Sequence, residues 1–103
     1  DRQAMRELRR VMTPNGWAIL LVPITAEKTF EDSSVTSPEE RERLFGQHDH
    51  VRRYGPDYVN RLQECGFRVS VETIPEQHDE QQRDYFGLRW NHKIYFCQKG
   101  DVI

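Results

Sequence analysis

An uninterrupted apolar run at residues 17–22, with the sequence WAILLV, restricts the fold more than any other feature of this chain. A strand with one wet face alternates apolar and polar side chains. A strand that is covered on both faces is apolar throughout, as in parallel sheets that carry helices on each side. The run therefore predicts a strand that is buried on both faces.

The residues ahead of this run predict a helix and a tight turn. Apolar residues recur there at steps of three and four positions, at Ala4, Met5, Leu8, Val11 and Met12. The turn at residues 13–16 ends the helix, because Pro14 cannot continue it and Asn15 and Gly16 accept the backbone of a turn. Helix, turn and buried strand form the second half of a βαβ unit, so we expect the strand that opens the unit on the N-terminal side of Asp1.

Two further helices are marked by their ends. Ser37 precedes Pro38, and Glu40 follows three positions after the serine, which is the pattern of a capped helix start. We expect this helix to end at Gly46, since glycine commonly follows the last helical residue. Pro56 opens the next predicted helix.

The last third of the chain predicts two strands and a connection. Residues 67–73 alternate apolar and polar side chains, which indicates a strand with one wet face, and residues 93–99 form a closing strand. Residues 75–91 are mostly polar and are expected to form a long connection. With 103 residues, the chain has room for one small domain.

Composition argues against several classes of protein. The net charge is −2 and no dense run of lysine or arginine occurs, which argues against nucleic-acid binding. The longest apolar run is too short to span a bilayer, and no leader segment is visible, so we expect a cytoplasmic protein without membrane contact. Cys65 and Cys97 fit no metal or redox spacing and are expected to be buried free thiols.

The helix and turn resemble a segment of the class I, S-adenosylmethionine-dependent methyltransferases, of the type 11-like kind. In that family a helix ends in a turn similar to proline-glycine-glycine and leads into the fifth strand of the sheet. Here the residues are REL at 6–8 and RVMTPNGW at 10–17. Asn15 replaces the first glycine, a mild departure because asparagine tolerates the same backbone region.

The order of residues further along is similar to the end of many bacterial members. That order is His50-Val51-Arg52, Tyr54-Gly55 and a helix that ends in Cys65-Gly66-Phe67 before a strand. In the family the last two strands form an antiparallel pair, and the final strand lies beside the fifth. The resemblance therefore implies the C-terminal half of a Rossmann-like α/β fold. We expect a three-stranded mixed sheet, with one long buried strand and an antiparallel pair, and about three helices.

The resemblance implies methyl transfer from S-adenosylmethionine to an acceptor that is expected to be a small molecule. This chain has no glycine-rich turn after a first strand and no acidic residue at the end of a second one, which are the features that hold such a cofactor. No residue of this segment is therefore expected to bind the cofactor, and the segment alone is expected to be inactive.

The resemblance also implies that substrate-facing groups lie in the loops after the fifth strand. His50 is the candidate catalytic base, and the candidate substrate-binding residues are Thr25, His48, Arg52 and Tyr54. His48 and His50 also offer two nitrogens to a metal, but no spacing supplies a third ligand, so we expect no metal site. A polar loop without catalytic function is the simpler alternative for both histidines. For Arg52 the alternative to a substrate contact is a surface ion pair.

Two other functions remain open from the sequence. The chain is also compatible with a non-enzymatic interaction module that keeps half of the fold, or with another Rossmann-like enzyme, such as one that uses a nicotinamide. A strand that lacks its neighbour has an unpaired edge that recruits other chains. We therefore expect a homo-oligomer with the strand at residues 17–22 or the first helix at the contact.

Overall fold

The computed structural model describes residues 1–73, 79–86 and 93–100. They divide into two compact units, one formed by Asp1–Leu21 with the described residues from Arg61 onward, and the other by Val22–Asn60. The described helices are α1 (Arg2–Val11), α2 (Pro38–Phe45), α3 (Tyr58–Glu64) and α4 (Glu80–Phe86). The described strands are β1 (Trp17–Ile19), β2 (Phe30–Glu31), β3 (Arg52–Arg53), β4 (Arg68–Glu72) and β5 (Ile94–Gln98).

The first unit contains a three-stranded sheet in the order β1-β5-β4. The last strand of the described chain lies in the middle and runs antiparallel to both neighbours. The predicted antiparallel pair, and its final strand beside the strand that follows the first turn, are therefore present. The prediction of a mixed sheet is wrong, because all strand pairings of this sheet are antiparallel. The described residues consequently do not form a Rossmann fold.

The expectation that residues 17–22 form a long buried strand is also wrong. β1 has only three residues and lies at the edge of the sheet. The side chains of Trp17 and Leu21 are each 62% exposed. Trp17 stacks on the ring of Phe96 at a centroid distance of 5.6 Å, and both side chains lie on the sheet face opposite to that of Cys97. Tyr95 and Cys97 are buried on the Cys97 face, whereas Trp17 and Ile19 remain exposed on the other face.

The core of the first unit lies on the Cys97 face of the sheet. Its buried apolar residues are Met5, Leu62, Cys65, Phe67, Tyr95 and Cys97. The sulfur atoms of Met5 and Cys65 lie 4.0 Å apart, so α1 packs against the end of α3. Both cysteines are free and buried, as predicted. Burial raises the pKa of the Cys97 thiol to about 11, so the thiol stays protonated at neutral pH.

Ion pairs and side-chain hydrogen bonds hold α1 in place at both ends. At the start, a carboxylate oxygen of Asp1 lies 2.6 Å from Arg61, and both side chains are largely buried. At the other end, Arg9 Nε donates hydrogen bonds to the carbonyl oxygens of Gly66 at 3.2 Å and Lys99 at 2.7 Å. Lys99 in turn donates to the carbonyl of Met12 at 2.7 Å, which satisfies a carbonyl group at the helix end.

The second unit contains α2 and a short antiparallel pair of β2 and β3. The prediction for α2 is confirmed at both ends. Ser37 Oγ accepts a hydrogen bond from the backbone N–H of Glu40 at 3.2 Å, Pro38 is the first helical residue, and Gly46 ends the helix with a φ of 94°. The strand pair was not predicted, because each strand has only two residues and carries no alternation that the sequence can reveal.

The connection predicted at residues 75–91 contains a helix, α4, in its described part. Asp79 accepts a hydrogen bond from the backbone N–H of Gln82 at 2.8 Å, and Gln82 Oε1 accepts one from the N–H of Asp79 at 3.2 Å. This reciprocal pair is a capping box, which explains why a polar segment without a buried residue is helical. The described residues thus hold four helices rather than about three. Residues 75–78 and 87–91 of the predicted connection lie outside the described residues.

Membrane insertion was not expected, and no helix among the described residues is long and apolar enough to cross a bilayer.

Leu62 provides a test of this core. Its side chain is fully buried at 0% exposure, whereas that of Leu8 on α1 is 46% exposed. We expect Leu62→Ala to lower the free energy of unfolding by about 2 to 5 kcal/mol, since it leaves a cavity, and Leu8→Ala to cost much less. Urea denaturation followed by circular dichroism measures both values. Equal losses in the two variants would contradict this assignment of the core.

Candidate functional site

The second unit contains a cavity of about 450 Å³. Its walls come from two segments, residues 22–25 and residues 45–54. The volume lies in the range of about 300 to 1,000 Å³ that is usual for small-molecule sites. The segment at 45–54 contains the end of α2, a loop and β3, so the cavity lies where irregular backbone meets regular elements.

Four of the five residues predicted for the site line this cavity: Thr25, His50, Arg52 and Tyr54. His48 does not line it and is exposed to solvent. The structure therefore brings together residues that are up to 29 positions apart in the sequence, from Thr25 to Tyr54. Among the residues that the structure describes, no group of three or more histidine, cysteine, aspartate or glutamate side chains is placed to hold a metal ion.

The carbonyl group of Tyr54 joins the two walls. Its oxygen accepts hydrogen bonds from the backbone N–H of Thr25 at 2.9 Å and of Ala26 at 3.2 Å. Ile24 and Tyr54 also form an isolated parallel β-bridge. The ring of Tyr54 contacts that of Tyr58 edge to face, with a centroid distance of 4.8 Å. These contacts position Tyr54 from its backbone and from its ring.

A second set of hydrogen bonds holds the residues that follow Tyr54 in the chain, next to the cavity wall. The Asp57 carboxylate accepts hydrogen bonds from the N–H of Thr29 at 2.8 Å and from its hydroxyl at 2.9 Å. The same hydroxyl accepts a hydrogen bond from the N–H of Gly55 at 3.1 Å. Gly55 is buried against the backbone of Lys28, where an added Cβ would lie 2.7 Å from the Lys28 Cα. Glycine is needed here for space, because the neighbouring atom is backbone.

Arg52 is occupied by local contacts. Its Nε lies 3.4 Å from a carboxylate oxygen of Glu31, and its guanidinium carbon lies 6.0 Å from the centre of the Tyr54 ring. The ion pair follows from the register of the strands, since Glu31 and Arg52 are directly opposite in the β2–β3 pair. The sequence allowed either a substrate contact or a surface ion pair for Arg52, and the structure has an ion pair between Arg52 and Glu31.

Arg53 also lines the cavity and was not predicted. Its Nε donates a hydrogen bond to the carbonyl oxygen of Leu44 at 2.8 Å, so the last turn of α2 holds the guanidinium. Its Nη2 atom lies near Gly46, at 3.5 Å from the position that a Cβ would take there. The sequence offers no local pattern that distinguishes Arg53 from Arg52, because the difference arises from the pairing of β2 with β3 and from the end of α2.

His50 is the candidate in the cavity for proton transfer, because an imidazole nitrogen can accept or donate a proton in contact with a ligand. Within the described residues its side chain makes no hydrogen bond or ion pair, and its backbone N–H donates to the carbonyl of Gln47 at 3.2 Å. His50 lines the cavity and is exposed to solvent. The arrangement places an imidazole and two guanidinium groups on the wall of one cavity.

Comparisons of this chain with protein-family models, with curated proteins and with solved structures found no match.

Gly55→Ala tests the packing beneath the cavity. We expect the added methyl group to displace the backbone at Lys28 and to lower the free energy of unfolding by about 1 to 3 kcal/mol, as other overpacked sites do. Thermal unfolding followed by circular dichroism measures the change. Gly46→Ala is a useful comparison: its cost arises from the positive φ, and its Cβ has no backbone contact under 3.4 Å. Unchanged stability of Gly55→Ala would mean that Lys28 lies elsewhere.

Proposed function

We propose that this chain is the acceptor-binding part of an S-adenosylmethionine-dependent methyltransferase. The observation that carries the proposal is the strand order β1-β5-β4, with the last strand between the other two and antiparallel to both. The resemblance of residues 6–17 to class I methyltransferases implies the same relation between the strand after the turn and the last two strands. Two independent features of the chain, a local sequence and a long-range pairing, are therefore consistent with one family.

The position of the cavity supports the same proposal. In the family that the sequence resembles, groups that face the acceptor come from the loops after the strand that β1 would represent. Here the cavity is built from residues 22–25 and 45–54, which follow β1 along the chain. Its mixture of apolar walls and a few polar groups is typical of a site for a small organic molecule.

The described residues do not fit S-adenosylmethionine itself. Their glycines stand singly, and Gly46 and Gly66 serve as positive-φ residues after α2 and α3 rather than as a phosphate- or cofactor-binding turn. The proposed contribution of this chain is therefore to bind and orient the acceptor. Orientation alone supplies a large part of the rate of a transfer reaction, because it removes the entropy cost of aligning the reactants.

His50 is the proposed base that takes a proton from the acceptor. It lines the cavity, and its side chain makes no hydrogen bond within the described residues, so its nitrogens remain available to a ligand. A base in contact with the nucleophile typically contributes a factor of about 10² to 10⁴ to turnover.

The test is a transfer assay on the protein as its gene encodes it, with S-adenosylmethionine labelled in the methyl group and a library of small acceptors. We expect transfer to at least one acceptor and a fall in kcat of about a hundredfold or more in His50→Ala. His48→Ala is the matched control, since His48 is exposed and lies outside the cavity lining. Unchanged circular dichroism must accompany both variants. An equal effect of the two substitutions would remove the role of His50, and the absence of any transfer would remove the proposal.

A second candidate function, association with another copy of the chain, is favoured by the exposed edge of the sheet. β1 is the terminal strand, and no strand among the described residues pairs with its outer side. The backbone N–H of Leu20 donates a hydrogen bond to the carbonyl oxygen of Tyr95, and the N–H of Lys99 donates one to the carbonyl oxygen of Gly16. The backbone N–H and C=O groups of the even-numbered residues of this segment therefore point toward β5. The backbone groups of Trp17 and Ile19 therefore point to the open edge.

The chemistry of this edge fits a second copy of the same strand. Residues 17–22 carry no charge, so two such strands related by a two-fold axis meet without repulsion between like charges. Antiparallel pairing would satisfy the open backbone groups and would place the exposed Trp17 and Leu21 of both copies on one continuous face. We therefore propose that this edge is the contact of a homodimer.

Ile19→Lys tests this contact. A charge on the exposed edge strand opposes pairing of two identical strands, so we expect the mass measured by light scattering to fall from that of a dimer to that of a monomer. Val11→Lys places a charge on α1, where the side chain is 67% exposed, and is expected to leave the dimer intact. Loss of the dimer in Val11→Lys alone would move the contact to α1. A monomeric parent chain at high concentration would exclude both contacts.

A further inference from the structure

Arg53 is a cation on the cavity wall for which the described residues provide no carboxylate. Its side chain is partly buried, and the bond from Nε to the Leu44 carbonyl is the contact that orients it. Asp49 lines the same cavity, but no ion pair joins it to Arg53. Holding a guanidinium away from water without an anionic partner costs free energy, and such a group in a cavity is a candidate for ligand binding.

The hydrogen bond that anchors Arg53 uses Nε and leaves the two terminal nitrogens, which are the part of the guanidinium that best recognises an anion, open to a ligand. Nε is engaged by the end of α2, and the two terminal nitrogens make no hydrogen bond within the described part of the chain. Two parallel N–H groups match the two oxygens of a carboxylate and bind it in a bidentate manner. The bond to α2 also fixes the orientation of the fork before a ligand arrives, which reduces the entropy cost of binding.

The rest of the cavity wall limits the remainder of the ligand. Val22, Pro23, Phe45 and Val51 contribute apolar surface, and the volume is about 450 Å³. A ligand that fills this space must therefore bury a compact apolar body. Among the described residues that line the cavity, Arg53 is the one arginine without an ion pair, because Arg52 is paired with Glu31. A single negative charge matches that of Arg53, whereas the second charge of a phosphate monoester would find no further unpaired arginine in the described lining, which also contains the acidic and exposed Asp49.

We propose that the cavity binds a small apolar carboxylic acid as its monoanion, with the carboxylate held by the terminal nitrogens of Arg53. The apolar body lies against Val22, Phe45 and Val51. One part of this inference rests on the proposed function: that the bound acid is the acceptor of the methyl group. The binding itself requires neither the cofactor nor the transfer step, so it can be measured on the 103-residue chain.

The experiment is an NMR titration of the ¹⁵N-labelled chain with phenylacetate, the neutral analogue phenylacetamide and phenyl phosphate. We expect phenylacetate to shift the amide resonances of residues 46–54 and to bind at least about tenfold more tightly than phenylacetamide. Arg53→Met is expected to remove that preference. Arg68→Met, an exposed arginine on β4 of the other unit, is the matched control and is expected to leave it unchanged.

Each alternative outcome overturns the inference in a recognisable way. Equal affinity for phenylacetamide would mean an apolar cavity without anion recognition, and tighter binding of phenyl phosphate would mean a phosphate site. No shift with any of the three compounds would mean that the cavity is not a ligand site. If Arg53→Met disturbs the end of α2, the comparison of the three compounds on the unmodified chain still decides.

The titration and the transfer assay distinguish failure of the carboxylate site from failure of the methyltransferase proposal. Phenylacetate binding in a protein that transfers no methyl group would refute the methyltransferase proposal and leave the carboxylate site. Methyl transfer to neutral acceptors, with no carboxylate preference in the titration, would refute the carboxylate site and leave the methyltransferase proposal.

Discussion

Strand β5 holds the first unit together, because among the described strands of its sheet it is the one that is paired on both sides. Its pairing with β1 and β4 brings residues at opposite ends of the chain into register, with Cys97 opposite both Ala18 and Val69. The face that carries Tyr95 and Cys97 is buried together with Leu62 of α3 and Met5 of α1. The bond from Arg9 to the carbonyl of Lys99 fixes the end of the same strand to α1. Without β5, neither neighbouring strand has a partner in this sheet.

The second unit depends on polar contacts more than on a large core. Phe45 and Tyr58 are its buried apolar residues in the described chain, and the loop that bounds the cavity is held by Asp57, Thr29 and the Tyr54 carbonyl. Hydrogen bonds between fixed groups define the position of a loop closely even where little apolar surface is buried. This explains how a segment with few regular elements can present an arginine and a histidine to the same cavity.

The two proposed functions depend on different parts of the chain: ligand binding on the cavity, and association with a second copy on the edge of β1. The cavity combines an oriented guanidinium, an imidazole and apolar walls, which is the composition of a small-molecule site. The edge of β1 combines open backbone groups with exposed apolar side chains, which is the composition of a site for another strand. Because the cavity lies in the second unit and β1 in the first, substitutions can address one without changing residues of the other.

The sequence by itself determined the elements whose signals are local. Ser37, Pro38, Glu40 and Gly46 define both ends of α2, since capping and positive φ depend on residues within a few positions of each other. The grouping of Thr25, His50, Arg52 and Tyr54 also followed from the sequence, through a family resemblance rather than through a local pattern. The capping box of Asp79 and Gln82 was equally local and could have been found.

The tertiary structure alone decided the exposure of β1 and the role of Arg53. An apolar run indicates that a strand can be buried on both faces, but burial requires a second layer, and the described residues cover only the face that carries Cys97. Arg52 and Arg53 are chemically identical neighbours in the sequence. They differ because strand register places Glu31 opposite Arg52, while the end of α2 presents a carbonyl group to Arg53, and both relations arise only when segments distant in sequence meet.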